Sequence, residues 1–298
     1  MKLLLIGGTG FFGKSILDCF LKGELKKFKI FEIIILSRST DIFVNIHPEL
    51  LHPKVTYIKG DISKLKTLPS ADIVIHAATS AKEKDYIENP KKERENTEKG
   101  VLNYIKLAKK NHRNSKIIYC SSGAVYGKQP ANVDKLKEDF PFQNIDEMSI
   151  IKKDYALSKR NAESYIANLG NEGFNVSIAR GFAFYGKYLP DDGHFAYSNF
   201  LSSAIKGRDI VVEANHEVIR SYMHADKLVE SLLSISLVSN PKCPIYNVGS
   251  DIPISIFSLA KEIAAKYNVN VVTKSNIDLN KIDKYIPNID KLKSLLNS

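Results

Sequence analysis

No apolar run in the 298-residue chain approaches the roughly 20 residues needed to cross a bilayer, so no membrane insertion is expected. Cysteine is scarce. Cys19, Cys120 and Cys243 are odd in number and far apart, which excludes a disulfide framework and points to a reduced, cytoplasmic compartment. The same spacing offers no zinc site, and no metal is expected. Acidic residues are in the minority, leaving a net charge of +10, but no basic block with interleaved aromatics accompanies it. Lysines such as Lys106, Lys109 and Lys110 fall on polar helix faces, so the charge reads as solvated surface. Nucleic acid is therefore not an expected partner, whereas mild attraction for an anionic diphosphate is compatible with the charge. Internal repeats and low-complexity segments are also lacking.

What is present is the composition of a soluble globular protein, 44% hydrophobic and 26% charged, long enough for one large domain or two modest ones. Short β-rich runs alternate with helical patterns. Strands are expected at Leu3–Ile6, Ile33–Ser37, Val55–Lys59, Ile73–Ala77, Lys116–Cys120 and Val176–Ala179. Helical spacing covers Lys14–Leu21 and Glu95–Lys110, the latter with Val101, Leu102, Ile105 and Ala108 expected on one face. Alternation of this kind predicts an α/β fold, a parallel sheet with helices on both faces. The first apolar stretch is too short for a signal-peptide core and leads straight into glycines, so it reads as a strand. After about residue 180 the rhythm loosens. Turn signals stand at Asp191-Asp192-Gly193 and Lys206-Gly207-Arg208-Asp209. Helices are expected at 194–206, 226–238 and 255–267. This part reads as a smaller cap over the carboxyl edge of the sheet.

Gly7-Gly8-Thr9-Gly10-Phe11-Phe12-Gly13 follows the first strand directly, with Gly7, Gly10 and Gly13 at the spacing G-x-x-G-x-x-G. Such a turn brings backbone amides and a helix N-terminus to a pyrophosphate. NAD enzymes place an acid at the end of the second strand for the ribose 2′-hydroxyl. Here that place reads Leu36-Ser37-Arg38-Ser39, with no acid. Arg38 can pair with a 2′-phosphate and the serines can donate to it, so NADP(H) is preferred and NAD(H) remains possible. The alternative makes Arg38 a surface residue and gives the acid's part to Asp41. Asp61-Ile62 and His76-Ala77-Ala78-Thr79 end the third and fourth strands beside the same cofactor. Asp61 can accept from the adenine amino group, and Ala77 and Ala78 let the cofactor pass close. His76 reads as a packing residue.

Tyr155 and Lys159, four residues apart, share a helix face. A phenol of pKa near 10 is a poor acid-base group at neutral pH, and a neighbouring ammonium favours its ionised form. Lys159 can also hold ribose hydroxyls. A third hydroxyl, for the reacting oxygen, is available at Ser121 or Ser122 at the end of the fifth strand.

These motifs, with Asn96 ahead of Gly100, Ser121-Ser122-Gly123-Ala124-Val125-Tyr126-Gly127, Arg180 leading to Tyr185-Gly186, and Arg220-Ser221-Tyr222-Met223-His224-Ala225-Asp226, resemble the extended short-chain dehydrogenase/reductases. The resemblance is to the NAD(P)-dependent epimerase/dehydratase group that acts on nucleotide sugars, and it runs over nearly the whole length. It implies a Rossmann-type doubly wound parallel sheet, with residues 1–180 binding NAD(P). Residues 181–298 would form a small α/β substrate region whose elements interleave with the first. It implies Ser122, Tyr155 and Lys159 as catalytic residues and Gly7, Thr9, Gly10, Phe11, Phe12, Gly13, Ile62, Thr79 and Asn96 among the cofactor contacts. Ser121, Phe182, Asn199 and Arg220 would meet a nucleotide-diphosphate sugar, with Arg220 clamping the diphosphate unless an internal ion pair holds it. A homodimer through the helices near Glu95–Lys110 and Asp154–Leu169 is implied as well.

The departures from that pattern narrow the expectation. The group's 4,6-dehydratases carry an Asp-Glu pair after the catalytic hydroxyl, where this chain has Gly123-Ala124, which argues against dehydration. The Asn that often follows Arg-x-Phe is Ala183. The expected activity is NADPH-dependent reduction of a nucleotide-activated 4-keto-6-deoxyhexose, as in surface-polysaccharide precursor synthesis. The abequose and 6-deoxytalose type of 4-ketoreductase is the nearest resemblance. The alternatives are an NAD-dependent 4-epimerase and, more remotely, an NADP-binding regulator without turnover.

Overall fold

A computed structural model of the chain describes residues 1–79, 87–146, 148–190, 195–275 and 278–297. The turn expected at Asp191-Asp192-Gly193, and His194 after it, lie outside the described residues. In chain order the first elements are β1 (Lys2–Ile6), α1 (Phe11–Leu21), β2 (Glu32–Ser37), α2 (Thr40–Ile46), β3 (Val55–Lys59) and β4 (Ile73–His76). Next come α3 (Pro90–Asn111), β5 (Lys116–Ser122), α4 (Ile150–Asn171), β6 (Asn175–Gly181), β7 (Ala183–Tyr185), α5 (Ala196–Ile205), β8 (Ile210–Val212) and β9 (His216–Arg220). The remainder are β10 (Tyr222–His224), α6 (Ala225–Leu237), β11 (Ile245–Val248), β12 (Ile254–Ser255), α7 (Ile256–Tyr267), β13 (Val271–Thr273), β14 (Asp278–Tyr285) and α8 (Asp290–Leu296).

Seven strands pair in the order β11-β6-β5-β4-β1-β2-β3, every pair parallel. The order reverses between β1 and β4, the switch point where a doubly wound sheet opens a crevice at its carboxyl edge. The glycine loop after β1 and the Ala77–Thr79 segment after β4 meet there. Strands buried on both faces read as continuous apolar runs. Leu3 and Leu5 of β1 pack on one side, and Leu4 and Ile6 on the other. The first side is covered by α1 and α6, through Ile16, Leu17, Leu228 and Leu232. The second is covered by α3 and α4, through Val101, Tyr104, Ala162 and Ile166.

The stripe buried on α3 differs from the one expected. It runs through Thr97, Val101, Tyr104 and Ala108, while Leu102 is 47% exposed. Tyr104 is the larger apolar body at the sheet, and one residue of rotation about the helix turns Leu102 outward.

The C-terminal part divides between two jobs. Its strand β11 extends the main sheet next to β6, and its helix α6 packs against that sheet. The rest builds the cap. Phe200 and Ala204 of α5 meet Ile210 and Val212 of β8 and Leu259, Ala260 and Ile263 of α7. A separate sheet in the order β12-β9-β14 stands beside this core.

Candidate active site

The glycine loop has the shape of a cradle. Gly7 adopts φ +86°, and a Cβ there would fall 2.7 Å from the Ala78 backbone. A Cβ on Gly13 would come within 2.0 Å of the Gly8 carbonyl oxygen, so glycine is what lets α1 start hard against the loop. The helix begins at Phe11, three residues earlier than helical spacing suggests, with Gly10 as its N-cap and no side-chain cap. The amides of Phe11, Phe12 and Gly13 therefore lack helical acceptors and stand ready for phosphate oxygens. The Phe11 and Phe12 rings turn inward toward Phe184, at 6.4 and 5.4 Å between centroids. Thr79 Oγ1, at the end of β4, is buried without a partner among the described residues. A cradle a Cβ would fill and an orphaned buried hydroxyl both fit a dinucleotide.

At the end of β2, Thr9 Oγ1 lies 2.7 Å from Ser37 Oγ and 3.5 Å from Ser39 Oγ. Arg38 is exposed and forms no ion pair among the described residues. Asp41, the alternative acid, is held by Lys59 at 2.7 Å. Asp61 Oδ1 accepts from the amide and hydroxyl of Ser63, at 3.0 and 2.8 Å, which fixes the turn after β3. Asn103 holds the Ile62 carbonyl at 2.7 Å. Asn96 lies on the exposed side of α3 and donates to Glu93 at 3.0 Å.

The Tyr155–Lys159 pair lies where α4 crosses the end of β5. Lys159 is 1% exposed and donates to the Cys120 carbonyl at 3.1 Å and to Tyr119 Oη at 3.4 Å. Its Nζ lies 5.8 Å from the ring centre of half-buried Tyr155. Burial lowers the Lys159 ammonium to about 8, opposed by Cys120 and Glu163. It is still mostly charged at neutral pH. Ser122 Oγ accepts from the Ala124 amide at 3.2 Å and so opens the 3₁₀ turn Gly123–Tyr126. His76 is fully buried between Tyr104 and Tyr119 with no hydrogen-bond partner for either ring nitrogen among the described residues. Burial and, secondly, the Lys159 charge lower its imidazole to about 3, so it stays neutral and packs.

Two of the substrate residues expected from the sequence are engaged elsewhere. Ser121 Oγ points inward and donates to Glu163 at 2.6 Å. Its hydroxyl serves a buried network, because alternate residues of a strand face opposite ways and Ser122 takes the cleft side. Arg220 pairs with Asp283 of β14 at 2.8 Å and also donates to the Ile219 and Asp283 carbonyls. Phe182 stacks on Tyr285 with 4.6 Å between centroids, and Asn199 is half-buried on α5.

The network beneath Ser121 was not expected. Glu163 binds Arg180 at 2.7 Å, Arg180 reaches Tyr126 Oη at 2.9 Å, and Tyr126 donates to Asn247 at 2.8 Å. It ties β5, β6, α4 and β11 together under the site. A signal existed: Glu163 stands one helical turn beyond Lys159, on the same face as Tyr155.

A cradle for a dinucleotide thus sits at the switch point, and a Ser, a Tyr and a buried Lys gather at the adjoining strand end. Known proteins resemble the chain in sequence and in fold. UDP-glucuronic acid decarboxylase 3 of Arabidopsis thaliana is 26% identical over 279 residues, 92% of this chain and 77% of its own. The dTDP-glucose 4,6-dehydratase DesIV of Streptomyces venezuelae, solved with NAD, superposes with a TM-score of 0.81 at 18% identity. The UDP-N-acetylglucosamine 4-epimerase of Methanobrevibacter ruminantium M1 does so with 0.81 at 21%. Both superpositions cover 99% of this chain and 91% of the other. A family model described as the NAD dependent epimerase/dehydratase family matches residues 3–249, the span that carries the cradle, Ser122, Tyr155 and Lys159, and the chain belongs to that family.

Proposed function

We propose that the protein reduces the C4 ketone of a nucleotide-activated 4-keto-6-deoxyhexose, with NADPH preferred over NADH. The observation that carries this reading is the end of β2, where the hydroxyls of Thr9, Ser37 and Ser39 cluster, Arg38 is exposed and no acid ends the strand. That set suits a 2′-phosphate better than a 2′-hydroxyl. Gly123-Ala124, where a dehydratase would carry its acids, supports reduction over dehydration.

Bound NADPH supplies the hydride that reaches C4. Tyr155 holds the proton that neutralises the C4 oxygen, and Ser122 donates a hydrogen bond to that oxygen. Lys159, an ammonium fixed by two acceptors, biases the Tyr155 phenol toward giving its proton up. Phe182 and Asn199 line the sugar side. Arg220 meets the diphosphate once Asp283 yields part of its guanidinium. Nucleotide-sugar 4-epimerisation is the second reading, favoured by the family match and by the 4-epimerase among the solved structures.

Arg38 gives the test of the carrying observation. Arg38→Ala should weaken NADPH far more than NADH. One charge-assisted hydrogen bond contributes about 1.5–3 kcal/mol, which is roughly 10–150-fold in affinity. Calorimetric titration of both cofactors into both proteins reads this directly. Equal losses for the two, or a native preference for NADH, would remove the phosphate reading and favour the epimerase.

A further inference from the structure

Arg220 is held at one end of its guanidinium. Nη1 donates to the Ile219 and Asp283 carbonyls, both at 2.9 Å, and Nη2 donates to Asp283 Oδ2 at 2.8 Å. A guanidinium has five N–H donors. Those three bonds leave the Nε proton and one Nη2 proton with no acceptor among the described residues. Arg180 shows what that edge can grip. Its Nε and Nη2 hold the Glu163 carboxylate at 3.0 and 2.7 Å. On Arg220 the corresponding edge holds no anion.

Strand pairing says where Arg220 looks. β9 and β14 run parallel, with Arg220 opposite Tyr285 and Val218 opposite Asp283. Partners in a parallel pair point their side chains the same way, and residues two apart share a face. Arg220, Asp283 and Tyr285 therefore stand on one face of the β12-β9-β14 sheet. Tyr285 locates that face. Its ring stacks on Phe182 at 4.6 Å, and its Oη lies 2.5 Å from the point where a Cβ of Gly123 would stand. Gly123 follows Ser122 directly, so this face looks onto the end of β5.

The Arg220 and Asp283 side chains are 22% and 34% exposed, and an ion pair so open to water adds little to stability. What the contacts do fix is the orientation of the guanidinium, since Asp283 grips it through both its carbonyl and its carboxylate. The edge left over is a fork that matches two phosphate oxygens. We infer that Asp283 is a positioning residue for the diphosphate of the nucleotide sugar, one that clamps the Nη end of Arg220 and presents its Nε–Nη2 edge to the phosphate oxygens. Asp283 yields only a share of Nη2 when the ligand arrives. The inference rests on the nucleotide-sugar reading of the site, but not on the direction of the reaction.

The test is a calorimetric titration of CDP, dTDP, GDP and UDP into the NADPH-loaded protein, with the tightest of the four as the probe. Asp283→Ala should weaken that probe about tenfold, the scale of one charge-assisted hydrogen bond, with NADPH affinity and thermal midpoint unchanged. Asp283→Asn keeps an oxygen for Nη2 and removes a negative charge beside the ligand, so it should bind at least as tightly as the parent. In an Arg220→Ala background, Asp283→Ala should cost less than twofold more, because it acts through the guanidinium. A merely structural aspartate would lose the same factor in both backgrounds.

Unchanged affinity in Asp283→Ala, an Asn variant as weak as the Ala variant, or a tenfold loss that persists without Arg220 would overturn the inference. Tighter binding in Asp283→Ala would do so too, by showing that the carboxylate only competes with the ligand. No heat with any of the four would remove the nucleotide-sugar reading and the inference together. The expected pattern in a protein that consumes no NADPH would sink the reductase reading and leave the inference standing.

Discussion

Tyr155→Phe should bind NADPH as the parent does and lose most of its turnover. The change removes one oxygen from a half-buried ring and leaves the packing of α4 in place. With the proton donor gone, the C4 oxyanion must take its proton from water, and general acid catalysis is typically worth about 10²–10⁴-fold. Stopped-flow or steady-state kinetics with NADPH in excess would measure kcat, and a calorimetric titration would measure the cofactor. A variant that turns over within a few-fold of the parent would show that Tyr155 is not the acid.

Lys159→Met should lose activity and gain stability. Lys159 is 1% exposed, with the Cys120 carbonyl and Tyr119 Oη as acceptors for its ammonium. Its pKa falls to about 8 because burial disfavours the charged form. At neutral pH the folded protein therefore holds a charge in a place that resists it. Replacing that charge with an apolar chain of similar length should raise the unfolding free energy by about 1–3 kcal/mol, the shift discounted for two lost hydrogen bonds. The rate should fall about 10²–10³-fold, the scale of removing one preorganised electrostatic partner.

Lys159 also dictates two opposite pH trends. Between about pH 8 and 10.5 the unfolded chain holds the Lys159 proton and the folded chain does not. Parental stability gains from this group as pH rises through that window, and the variant lacks the gain. The rate of reduction should instead fall as pH rises through about 8, since the ammonium that assists Tyr155 disappears. Thermal midpoints and kcat measured from pH 6 to 10 check both. A destabilised Lys159→Met with normal turnover would contradict the account on each count.

Much of this is legible in the residues themselves, and the reasons are physical. Strands β1, β2, β4, β5 and β6 are buried on both faces, so Leu3–Ile6 and Ile33–Leu36 stand out as unbroken apolar runs. The glycine loop and the Tyr155–Lys159 pair are local patterns in which spacing alone carries the geometry. Strand β11 is different. It has four residues, and its run is broken by Asn247, which is buried because it bonds Tyr126 and the Leu136 carbonyl. The cap strands β8, β9, β12 and β13 are two to five residues long, too short to give a sustained periodicity.

Within the site, the choice between Ser121 and Ser122 follows from strand alternation, but only once β5 is known to run through Ser122. Ser121 then turns to Glu163, and Ser122 faces the cleft. The Arg220 pairing with Asp283 and the Tyr285 ring contact with Phe182 join residues 63 and 103 positions apart. Both depend on β14 lying along β9, a tertiary pairing with no local signature.

The central claim is that the cofactor is consumed, not recycled on one sugar. The direct measurement is a panel of CDP-, dTDP-, GDP- and UDP-linked 4-keto-6-deoxyhexoses with NADPH carrying deuterium at its transferable position. The account predicts NADPH loss equal to product formed, deuterium at C4 of the product, and no absorbance change with a nucleotide hexose that lacks the ketone. Product formed without NADPH loss, or with no deuterium at C4, would contradict reduction and establish isomerisation in its place.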